Sequence, residues 1–143
     1  MLIGGSPNPS GYEQEVHAMA GPDVIFAGFV YGDDVTRLML NAYCYIQPSD
    51  VEGLSPVVLT VMGLGVPLIV SDIDENLYAV QDTAITFKKA DPASLTEQIQ
   101  YAEQHYPAMQ ALAAKAQQRA GKEFNWDTVT EQHETIFSGN GKQ

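Results

Sequence analysis

Residues 1–143 read as an α/β chain with a doubly wound parallel sheet flanked by helices. Three observations predict it. Short apolar runs alternate with stretches of helical spacing. The runs are continuously apolar, which marks parallel strands covered on both faces. Turn residues punctuate the alternation at Gly21-Pro22-Asp23, Gly28 and Gly65-Val66-Pro67.

Strands are expected near residues 2–5, 24–27, 43–47, 67–71 and 84–87. Leu2-Ile3 begins the first, and Gly4-Gly5-Ser6 turns out of it. Ser10 and Glu13 form a capping box for a helix with Tyr12, Val16, Met19 and Ala20 on one face. Val24 to Ala27 is a short buried strand. Asp33 or Asp34 caps a helix that turns Val35, Leu38, Met39 and Ala42 to one side. After the strand 43–47, Ser55 caps and Pro56 opens a helix that Gly65 and Pro67 stop. Asp72 to Asn76 reads as a loop before a short helix through Leu77, Ala79 and Val80. Asp91-Pro92 and Pro107 open two further helices. Asn125 caps the last, expected over 125–137, with Trp126, Val129, Ile136 and Phe137 as its apolar set.

The length suits one domain with a proper core. A net charge of −11 disfavours nucleic acid and anionic membranes, which need a basic footprint. No apolar run reaches the eighteen or so residues of a transmembrane helix. Met1-Leu2-Ile3 lacks the length and basic flank of a signal peptide, so a cytoplasmic location is expected. Cys44 is the only cysteine and sits in a buried-strand pattern, which suits a core thiol better than a nucleophile. His17, His105 and His133 have no ligand spacing, and Lys88-Lys89 reads as a solvated pair. Between Arg37 and Lys88 there is no Lys or Arg, so the loop at its centre lacks a cation of its own.

That loop, Glu52-Gly53-Leu54-Ser55, lies at the carboxyl end of a strand and against a helix N-terminus. Ligands bind there in open α/β sheets, and the free N–H groups and helix dipole favour a phosphate. Glu52 does not favour a phosphate; an acidic residue beside such a cradle suits a ligand that also carries hydroxyls, such as a sugar.

Pro48-Ser49, Glu52-Gly53-Leu54-Ser55, Met62 and Gly65-Val66-Pro67 fall in one register. In that register the chain resembles the C-terminal, donor-binding domain of GT-B retaining glycosyltransferases of family GT4 (group 1). The resemblance implies one Rossmann-like half of a GT-B fold over residues 1–143, its first strand truncated. It implies a nucleotide-sugar-binding domain of an enzyme that transfers a hexosyl group from an NDP-sugar such as a UDP- or GDP-hexose, with no cofactor and no metal. By the same resemblance Glu52 contacts donor sugar hydroxyls, while Gly53, Leu54 and Ser55 offer backbone donors to sugar and phosphate. Thr60 faces the ribose where the family has a second glutamate. Gly28-Phe29-Val30-Tyr31 matches a family segment whose backbone pairs with the base, which puts Val30 and Tyr31 near it, while Gly4 and Gly5, at the carboxyl end of the first strand, read either as a phosphate-proximal turn or as a plain strand terminus. Tyr78 stands about where relatives often have a glutamate.

The resemblance also implies partners. A GT-B site is a cleft between two domains, and the family's diphosphate-neutralising arginine and lysine lie upstream of the first strand. Either a separate N-terminal domain completes the site, or the chain forms a homodimer or folds its last helix back. The isolated chain is expected to show no transfer. The alternative is a decayed, non-catalytic domain that binds a nucleotide sugar weakly or serves as a partner module.

Overall fold

The computed structural model describes residues 1–5 and 11–138. Ser6, Ser10 of the predicted capping box and the side chain of Trp126 lie outside what is described. The chain divides into two compact units, 1–38 and 39–143.

In the first unit, β1 (Leu2–Gly4) and β2 (Ile25–Gly28) pair in parallel, Leu2 opposite Ile25 and Ile3 opposite Phe26. The α1 helix (Gly11–Met19) connects them, and α2 (Asp33–Leu40) follows. The α-amino group of Met1 donates to the Asp23 carbonyl at 2.7 Å, and the His17 ring stacks on Phe26 at 3.7 Å. His17 thus packs on a strand residue. The strands are less buried than the sequence predicts: Leu2 and Ile25 are exposed, as are Tyr12 and Met19 on α1. An apolar run shows that a strand can be covered, but the coverage itself depends on neighbours.

The second unit contains β3 (Tyr45–Gln47), α3 (Pro56–Leu64), β4 (Leu68–Ser71), α4 (Asp74–Val80), β5 (Ile85–Phe87), α5 (Pro92–Gln104), α6 (Tyr106–Glu123) and α7 (Trp126–Phe137). Its sheet is parallel in the order β3-β4-β5. Every β4 residue is buried. Leu68 and Val70 join one cluster with Val58, Val61, Met62, Ala79, Val80 and Ala116. Ile69 joins the other with Ile85, Phe87, Ala102 and Met109. Successive side chains point to opposite faces of a strand, so a strand covered on both sides must be apolar at each position.

Two expectations change. Among the described residues the strand pairings make two sheets, β1-β2 and β3-β4-β5, where the sequence predicted one. Alternation of strand and helix predicts parallel strands but not which strands become neighbours. The helix α4 also starts at Asp74, so Asp74 to Asn76 are helical rather than loop. Asn76 lies buried on the face that carries Ala79 and Val80.

The α3 helix shows how packing overrides propensity. Its sequence holds Val57, Val58, Thr60, Val61 and Gly63, each about 0.5–1 kcal/mol poorer than Ala in a helix. Burial of Val58, Val61 and Met62, at about 1.5–3 kcal/mol each, outweighs that. Its ends are fixed locally. Ser55 Oγ accepts from the Val58 amide, and Pro56 occupies the first turn. Gly65 is left-handed at φ +68, with Val66 N–H donating to Val61 O at 3.2 Å. Farther on, Arg119 donates to the Ala79 and Tyr78 carbonyls at 2.9 and 3.0 Å, closing the C-terminus of α4 with a cation.

Two glycines of this region should respond oppositely to alanine. Gly65→Ala forces a left-handed alanine and brings its Cβ within 3.3 Å of the Gln117 carboxamide, so a loss of about 1–2 kcal/mol is expected. Gly63 is exposed, helical and unobstructed, so Gly63→Ala should gain up to about 1 kcal/mol. Urea denaturation with unchanged slope checks both; equal shifts would contradict the cap.

Candidate functional site

The loop 48–55 joins the carboxyl end of β3 to the N-terminus of α3. Parallel strands place their carboxyl ends on one edge, so the loops after β4 and β5 converge on it. Asp72 Oδ1, just past β4, accepts from the Lys89 amide at 2.7 Å, just past β5. Lys89 Nζ donates to the Asp50 carbonyl at 3.2 Å. Lys88 and Lys89 are both exposed, as the reading of a solvated pair expects; Lys89 in addition binds the loop that otherwise lacks a cation.

Glu52 is half-buried. Its Oε1 accepts from Gln47 Nε2 at 2.8 Å and from Ser49 Oγ at 2.7 Å; neither bond uses Oε2. Gln47 Nε2 also donates to Ser49 Oγ at 2.8 Å, and Tyr45 donates its hydroxyl to Gln47 Oε1 at 3.1 Å. Burial pushes the Tyr45 phenol up, and the Glu52 charge adds to the shift, so Tyr45 stays a donor at neutral pH. Among the described residues no hydrogen bond engages the N–H groups of Gly53, Leu54 or Val57. The loop thus presents backbone donors and the positive end of a helix on one side. On the other it presents a carboxylate oxygen open to hydroxyl donors.

Gly53 and Leu54 are exposed, and Ser55 is buried with its hydroxyl accepting at the α3 cap. Thr60 is exposed on α3, and its hydroxyl donates to the Pro56 carbonyl at 2.8 Å, so only its lone pairs are left for a ligand hydroxyl. Gly4, Gly5, Val30 and Tyr31 belong to the first unit. There the Gly5 amide already donates to the Gly28 carbonyl at 3.0 Å, and Tyr31 stacks on Phe29 at 5.1 Å. Cys44 is half-buried beside the Ile69–Phe87 cluster, and burial pushes its thiol up, against the needs of a nucleophile.

A cleft of about 230 Å³ borders the loop, lined by Leu54, Asp74, Glu75 and Tyr78. A larger one, about 330 Å³, is lined by Leu64, Gly65, Pro67, Gln117 and others, at the amino ends of the strands. The carboxyl-edge argument favours the smaller one. The sequence reading gave no site role to Gln47, Ser71, Asn76 or Lys89, and it quoted Ser49 only within the Pro48-Ser49 motif. A faint signal existed for two of them. Ser71 closes an otherwise apolar strand, and Asn76 stands at helical spacing with Ala79 and Val80.

The sequence pattern described as glycosyl transferases group 1 matches residues 1–105. Among curated proteins none matches the chain. Solved structures do. The Anabaena protein HepE in complex with UDP superposes with a TM-score of 0.87 at 19% identity, over 96% of this chain and 40% of that one. Its complex with UDP-glucose gives 0.84 at 20% identity, over 96% and 40%. Sucrose-phosphate synthase from Thermosynechococcus elongatus gives 0.84 at 19% identity, over 96% and 37%. At this identity the likeness shows the fold, the Rossmann-like α/β architecture of GT-B enzymes. The chain spans about two fifths of the length of these proteins. With a match over 105 of 143 residues, the chain belongs to the group 1 glycosyltransferases.

Proposed function

We propose that residues 48–55 and the N-terminus of α3 bind the nucleotide-sugar donor of a hexosyl transfer. Glu52 accepts hydrogen bonds from donor sugar hydroxyls. The amides of Gly53, Leu54 and Ser55 hold sugar and phosphate, and Thr60 faces the ribose. The observation that carries the reading is the Glu52 carboxylate, one oxygen tethered and the other open, beside unengaged amides at a helix N-terminus. HepE, solved with UDP-glucose, lends support by fold.

Departure of a nucleoside diphosphate develops negative charge, and stabilising it is a central catalytic task. The α3 dipole supplies part of that, at about 0.3–1 kcal/mol for an exposed anion. Lys89, screened by solvent, adds little through the loop. Transfer therefore requires further cations and an acceptor half, from a partner domain or a second chain, and the chain alone binds without turning over. On α7, Ile136 and Phe137 are 69% and 85% exposed, apolar surface of the kind a partner covers. A second reading, a weak nucleotide-sugar binder with no transfer role, draws support from Thr60, whose proton is committed to its own helix.

Calorimetric titration against UDP-, GDP- and ADP-sugars and the bare diphosphates tests the site. Glu52→Ala should remove about 1–3 kcal/mol of sugar-dependent affinity and leave the bare diphosphate nearly unchanged. Equal loss for both ligands would refute the assignment of Glu52.

Thr60→Glu restores a two-oxygen acceptor and should tighten diphosphate binding about tenfold. No gain would mean that the α3 surface is not shaped for a ribose.

A further inference from the structure

The polar residues beneath the loop form a chain of fixed direction. Ser71 ends β4 and is 1% exposed; Asn76, on α4, is also 1% exposed. Asn76 Nδ2 donates to the Ser71 carbonyl at 3.1 Å and to Ser71 Oγ at 3.0 Å. A hydroxyl that accepts from Asn76 has its proton free to donate, and Ser71 Oγ donates to the Ser49 carbonyl at 2.5 Å. This bond pins the backbone of the loop after β3 to the end of β4. Above it, Tyr45 holds Gln47 Oε1, which turns Gln47 Nε2 toward Ser49 and Glu52. Ser49 accepts from Gln47 and so donates to Glu52. Both donors end on the same carboxylate oxygen, Oε1.

We propose that Asn76, Ser71, Ser49 and Gln47 are positioning residues that lock Glu52 by Oε1 and so present Oε2, in one orientation, to a hydroxyl of the donor sugar. This rests on the reading of Glu52 as the sugar acceptor. The arrangement has two tethers. One acts on the loop backbone, from α4 through Ser71 to Ser49. The other acts on the carboxylate, from Gln47 and Ser49. Preorganisation of this kind removes the ordering cost of a flexible carboxylate at the moment of binding. It acts on sugar recognition and leaves the backbone donors for phosphate in place.

The test is the affinity ratio of UDP-glucose to UDP, with the GDP and ADP pairs in parallel, in wild type, Glu52→Ala, Gln47→Met, Ser71→Ala, Ser71→Thr and Asn76→Ala. Gln47 is half-buried at the edge of the sheet, so Gln47→Met keeps the fold testable if the core variants do not fold. Gln47→Met and Ser71→Ala are expected to lower the ratio about tenfold, with bare diphosphate affinity within about twofold of wild type, and Ser71→Thr to restore it. Retention of the ratio in these variants while Glu52→Ala abolishes it overturns the positioning role and leaves the role of Glu52 standing. Equal loss for sugar-bearing and bare ligands overturns it too, as a plain loss of structure. A wild type with no sugar preference overturns the reading of Glu52 and the positioning role with it.

Discussion

Burial of β4 on both faces is the constraint on which residues 39–143 depend. Leu68, Ile69 and Val70 each feed one of two core clusters, so the strand cannot slide by one residue without exchanging its faces. The strand ends on Ser71, whose hydroxyl is buried with it. An unsatisfied buried hydroxyl costs about 1–3 kcal/mol, so Ser71 must find partners, and it finds Ser49 and Asn76. The geometry of the core is thereby transmitted to the loop that follows β3.

That loop combines two demands that oppose each other on a bare phosphate. The α3 N-terminus attracts an anion, and Glu52 repels one. A ligand with phosphates at one end and hydroxyls at the other satisfies both, which is why the carboxylate and the open amides together say more than either alone. The neighbouring carboxylates Asp74 and Glu75 extend the acidic side, and Tyr78 adds an aromatic face. Lys89 reaches the Asp50 carbonyl rather than an acid, so its effect on the loop is a modest tether.

Membership in the group 1 glycosyltransferases comes with partial coverage: the solved proteins of the same fold are about two and a half times as long as the part matched here. The last turn of α7 is exposed. Its helix is capped by Asn125, whose side chain accepts from the Thr128 amide at 2.8 Å, yet its last turn leaves Ile136 and Phe137 uncovered.

The sequence by itself determined what local chemistry controls. The caps Ser55, Asp91 and Asn125, the prolines behind the first two and the left-handed Gly65 set the helix ends, because each acts within a few residues of itself. The apolar runs gave the parallel strands of the sheet, and the loop at Glu52 was legible from its place between strand and helix. Neighbourhood was not legible. The sequence did not reveal that the strand pairings fall into two sheets, that Leu2 and Ile25 are exposed, or that Asp74 is already helical. Nor did it reveal the supports of the site. Ser71 meets Ser49 across 22 positions, and Lys89 meets Asp50 across 39. Periodicity and capping rules reach about one helical turn, whereas these contacts exist only once β3, β4 and β5 lie side by side and bring their carboxyl ends to one edge.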